Sequence, residues 1–133
     1  MDAKELRERL EAAARFEVEE AGARFALRLP SEYEWRVAFE RSREEGTRPV
    51  EAVATREVLR RAVVAWDGVT TGHVYPGGNG EALAFGKDEL ELLLDSRQDV
   101  ADALMVAVAR RMGENRERLE GIRKNLPPAS SGT

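Results

Sequence analysis

The apolar residues of this chain recur at helical spacing over most of its length, but between Phe16 and Leu29 the period falls to two. A helical bundle alone cannot absorb that switch. Phe16 and Val18, then Phe25, Leu27 and Leu29, alternate with polar residues on either side of Glu19–Ala23, where Gly22 can adopt positive φ. The pattern predicts a β-hairpin at about 16–29. Two strands are marginal in water, so this hairpin must lie on helices or pair at its edge with another chain, a homo-oligomer being one such arrangement.

Around the hairpin the helical segments follow in order. Residues 1–14 carry Leu6, Leu10 and Ala13 or Ala14 on one stripe. Ser31 with Glu34 forms a capping box that starts a second helix, expected to run to about Glu45–Gly46. On that helix Tyr33 and Val37 lie nearly opposite Trp35 and Phe39, so either the helix is flanked on both sides or one pair faces a partner. After Gly46–Pro49 a helix over Val50–Trp66 is expected, with Leu59, Ala62, Val63 and Trp66 toward the core and Trp66 closing it. Asp67–Gly80 is glycine-rich and expected to be a mobile loop. A short acidic helix then carries Leu90, Leu93 and Leu94. Asp95 and Ser96 are expected to cap a long helix, about Arg97–Ile122, whose stripe weakens after Arg111 and is interrupted by Gly113 and Gly121. The expected fold is mainly α, with four to five helices and a small N-terminal β-hairpin. Residues 1–125 form one helical domain and 126–133, rich in Pro and Ser, a disordered tail.

At 133 residues and 42% hydrophobic content, one domain with a real core is feasible. No apolar run approaches a membrane span and the N-terminus lacks a secretory signal, so a soluble, cytoplasmic protein is expected. The absence of cysteine removes disulfides, thiolate catalysis and zinc-finger chemistry. A net charge of −4 argues against nucleic acid as a partner. Charge is nevertheless uneven: Glu81–Asp99 holds six acids against two bases, and Arg110–Lys124 six bases against three acids. Two solvated faces of opposite sign are the simplest account. The alternative is a docking surface for an oppositely charged partner.

Catalytic chemistry finds no purchase in the sequence. His73 is the single histidine and is expected to be an exposed loop residue, with no second ligand to complete a metal site. No serine sits in a Gly-x-Ser-x-Gly elbow, and the glycine cluster at 77–80 lacks the Lys-Ser/Thr of a phosphate loop. Neither enzyme activity, nor a metal, nor a cofactor is expected.

With site chemistry set aside, the order of landmarks carries information. A strand Arg24–Pro30 precedes a helical region ending in Trp66-Asp67-Gly68-Val69. A polar loop leads to Phe85, then to a leucine helix with Leu92-Leu93-Leu94-Asp95, a long helix, and Arg123-Lys124-Asn125. Over roughly 24–125 this resembles the phage tail assembly chaperones of siphophages and gene transfer agents. The glycine-rich loop and the helix before Phe16 are additions to that pattern. The resemblance implies a helper in the host cytoplasm, absent from the mature virion, that binds the tape measure protein and recruits tail tube subunits. In some relatives a frameshift near the C-terminus yields a longer form. Tyr33, Trp35, Phe39, Arg116, Arg123 and Lys124 are the expected partner-binding residues, chosen because a long amphipathic partner needs apolar anchors rimmed by charge. The alternative is another phage or bacterial interaction adaptor, and after it a nucleic-acid-binding regulator using the Arg110–Lys124 helix.

Overall fold

A computed structural model describes residues 1–43 and 51–125. Among them are six helices and three strands: α1 (Ala3–Ala14), β1 (Arg15–Glu20), β2 (Ala23–Arg28), α2 (Glu32–Arg41), α3 (Glu51–Ala62), β3 (Val63–Asp67), α4 (Thr71–Val74), α5 (Lys87–Ser96) and α6 (Gln98–Lys124). The fold is mainly α, as the periodicity implies, but with six helices rather than four or five and a third strand added to the hairpin. The expected tail at 126–133 and the Gly46–Pro49 break lie outside the described residues.

The hairpin turns through Ala21 and Gly22, both at positive φ (53° and 79°), which is the two-residue turn whose twist matches that of paired strands. Its register sets Phe16 opposite Leu27 and Val18 opposite Phe25, so the apolar side chains share one face and Arg15, Glu17, Glu19 and Arg24 share the other. β2 is the central strand, with β3 antiparallel on its other side. Phe25 and Leu27 are wholly buried and join Val58, Leu59, Leu93, Leu104 and Val108 in one core.

β3 corrects the expected helix over Val50–Trp66. The chain leaves the helix after Ala62, and Phe25 pairs with Trp66 and Leu27 with Val63, with a bulge that absorbs Val64. Two forces favour the strand: Val63 and Val64 are β-branched, and the second edge of β2 offers unpaired backbone groups. Trp66 still closes the core, from a strand. Its ring meets Phe25 edge-on at 6.2 Å and Phe85 at 5.0 Å, and its indole N–H donates to the Leu83 carbonyl at 2.8 Å.

The glycine-rich segment is also better ordered than expected. Val69–Thr71 pairs with Glu81–Leu83 through two backbone bonds of 2.9 Å, which closes the base of the loop. His73 is half-buried rather than exposed. The Thr70 backbone N–H donates to its Nδ1 at 3.0 Å, so the ring proton sits on Nε2, which donates to the Ala21 carbonyl at 2.8 Å. The imidazole thus staples the loop to the hairpin turn. Gly78 is packed so tightly that an added Cβ would stand 2.4 Å from the backbone of Thr71 and Gly72. Gly78→Ala is therefore expected to release the 71–78 loop at a cost of about 1–3 kcal/mol. Gly77→Ala, which would meet only the Tyr75 ring at 3.7 Å, should be nearly neutral. Limited proteolysis and hydrogen exchange of the two variants check this; equal protection of the loop in both would contradict it.

The cap expected from Asp95 and Ser96 is not used. Ser96 Oγ donates back to the Leu92 carbonyl at 2.7 Å, and α5 and α6 are joined by Arg97 alone. Asp95 instead meets Arg56 of α3. With Glu91 accepting from Arg56 and Arg60, it ties α5 to α3. Much of the acidic stretch therefore finds its bases inside the same chain rather than facing solvent alone.

Candidate helix-binding groove

The capping box reads out as the sequence implies: Glu34 N–H donates to Ser31 Oγ and Ser31 N–H to Glu34 Oε1, each at 3.1 Å. Glu34 has a further task. Arg28, at the end of β2, grips its carboxylate with both guanidinium nitrogens, one at 2.8 Å, and this fixes where α2 leaves the sheet. The Arg28 hydrogen bond, aided by the Ser31 amide, holds the Glu34 carboxyl down at about 2, against an ordinary value of 4.5. A lowered folded value stabilises the protein above the ordinary carboxylate range and is lost as pH falls from about 4.5 toward 2. Acidification across that window should remove on the order of 1–2 kcal/mol through this pair, which is about one-third exposed. Urea unfolding at pH 7 and pH 3 checks it: Glu34→Gln should flatten the difference, and an unchanged pH slope would refute the assignment.

Anchored in this way, α2 points its residues in three directions. Ala38 is fully buried and packs into the core. Trp35 and Phe39, one turn apart, stack with centroids 5.0 Å apart and are half-buried along the core's margin. Tyr33 stands on the other side, 73% exposed. The helix ends at Arg41, short of the expected Glu45–Gly46, because Ser42 turns inward and its hydroxyl donates to the Phe39 carbonyl at 2.6 Å. Residues 44–50 lie outside the described residues.

Trp35 and Phe39 form one wall of an open groove of about 750 Å³ between α2, α3 and α6. Ala52 and Ala54 of α3 and Met105, Val106 and Ala109 of α6 supply the rest of its apolar lining, with Val106 57% exposed. Glu51 and Asp102 are the charged residues among those described that line it, and both are exposed. Among the described residues the groove is thus mostly apolar, with Thr55 and Gln98 as its neutral polar residues and acids at the rim.

The other expected contact residues do not join this surface. Arg116 is paired with Glu32 at 3.3 Å. Arg123 and Lys124 occupy the last turn of α6, where cations complement the helix dipole, some 21 Å along the axis from Ala109. Of the expected contact residues, Trp35 and Phe39 line the groove, and Met105, Val106 and Ala52, which line it with them, were not among those expected. The signal was present: Met105, Val106 and Ala109 form a second apolar stripe beside the core stripe of α6. Among the described residues no helix is long and apolar enough to cross a membrane. No family model matches the chain, and no curated protein or solved structure is significantly similar to it.

Proposed function

We propose that the protein is a helix-binding assembly factor of the phage tail chaperone kind, which masks the apolar stripe of a tape measure protein until the tail is built. The observation that carries this reading is the groove itself, a helix-lined apolar channel with exposed Val106 beside the stacked Trp35 and Phe39. An amphipathic helix laid into such a channel buries its stripe against apolar walls. The acidic rim selects a helix flanked by Lys or Arg over one flanked by acids. The ordered landmarks from Arg24 to Asn125 supply the kind of partner. Trp35 and Phe39 are the anchors in this reading, and Tyr33, on the far side of α2, is left for a second partner such as a tail tube subunit.

Co-expression with a tape measure protein is the test. The wild-type chain should raise the partner's solubility and co-purify with it. Val106→Lys, which puts a cation into the channel, and Trp35→Ala, which removes an anchor, should each weaken the complex by about tenfold or more while leaving the fold intact. A complex unaffected by both substitutions would sink the groove as the binding site, and no complex at any salt concentration would sink the chaperone reading.

A further inference from the structure

We propose that the cleft lined by α1 and the C-terminal half of α6 is a two-fold interface at which a second copy of this chain docks, bringing α1 and the end of α6 of both copies into one contact. α1 has no buried residue, although Leu6 and Leu10 lie one turn apart on it, 49% and 61% exposed. An isolated helix of 12 residues is marginal in water, so α1 calls for more cover than this chain supplies. The end of α6 is in the same position. Its core stripe continues past Met112, the last buried residue, to Leu119 and Ile122, which are 47% and 50% exposed. Together with residues 28–31 and Glu34, the two helices line a cleft of about 360 Å³, with Leu10, Glu11, Ala13 and Ala14 contributed by α1 and Asn115 and Arg118 by α6.

The charge pattern suits a second copy. α1 carries three bases, Lys4, Arg7 and Arg9, interleaved with three acids, Glu5, Glu8 and Glu11. From Glu114 onward α6 alternates in the same way, with Arg116, Arg118, Arg123 and Lys124 among Glu114, Glu117 and Glu120. A surface that meets itself across a two-fold axis must offer both signs, because a single-sign rim would repel its copy. Among the described residues the charges lining the Trp35–Phe39 groove are Glu51 and Asp102, both acidic, whereas the α1–α6 cleft is lined by Glu11, Arg28, Glu34 and Arg118 and offers both signs. The helix lengths also match: α1 and the stretch from Met112 to Lys124 each extend about 18–20 Å, so paired copies would cover one another from end to end.

Sedimentation equilibrium of the full chain tests this without any partner protein, so its outcome is independent of the tape measure reading. The expected mass at ~100 μM is twice 14.8 kDa. Leu10→Lys and Ile122→Lys, both at exposed positions, should each raise the dissociation constant about tenfold or more with an unchanged helical spectrum. Val106→Lys, in the other groove, should leave the mass unchanged. A wild-type monomer at that concentration overturns the proposal, whether the cleft is covered from within the chain or takes a foreign helix at Leu10. So does any stoichiometry other than two, or a dimer that survives both lysine substitutions.

Discussion

Phe25→Ala should lower the unfolding free energy by about 3–5 kcal/mol, which for a domain of this size is a loss of roughly 10–20 °C in Tm. Phe25 is 1% exposed on the central strand, opposite Val18 on one side and Trp66 on the other. Truncation leaves a cavity that β2 cannot collapse into, since it is hydrogen-bonded along both edges. It also removes one of the two edge-on partners of Trp66, whose indole is the link between the sheet and the 81–85 segment. Calorimetry and Trp fluorescence in denaturant should both report the change, and a shift of the midpoint worth under about 1 kcal/mol would contradict the packing described.

Ala38→Leu should cost about 1–3 kcal/mol and, under the proposed function, weaken the binding of a helix in the groove as well. Ala38 is fully buried on the face of α2 that meets the core, and α2 packs closely on α3. Three added carbons have no space there, so α2 must shift outward and take Trp35 and Phe39 with it. Helix content should be retained while Tm and affinity both fall. Tyr33→Ala, on the exposed side of α2, should stay within about 0.5 kcal/mol of wild type. If Ala38→Leu matches wild type in Tm and in binding, α2 is not the rigid wall assumed for the groove.

Several local signals in the sequence are found in the fold, although the Asp95–Ser96 cap is not. The Ser31–Glu34 capping box, the hairpin alternation with Gly22 at positive φ, and the Leu90–Leu93–Leu94 stripe each depend on residues a few positions apart, and each is found in place. What could not be read was decided at long range. The stripe Leu59–Ala62–Val63–Trp66 satisfies helical spacing, yet the vacant edge of β2 draws Val63–Asp67 into the sheet. The Gly77–Gly80 run has the composition of a flexible loop, but the His73 bond to Ala21 and the 69–83 pairing lie across the fold and leave no local mark. The groove is half legible for the same reason: aromatic residues on α2 stand out by type, whereas Ala52 and Ala38 matter only through what packs beside them.

The order of the strands also bears on how the chain acquires its fold. β1 and β2 form within one short stretch, but β3 reaches β2 only after α2, α3 and all the residues between Leu27 and Val63 have been gathered in. Closing that loop is entropically slow compared with closing the hairpin. On the ribosome, therefore, the Ala23–Arg28 edge waits unpaired until Trp66 has emerged. In that interval a nascent chain exposes a strand edge that can pair with a neighbour's.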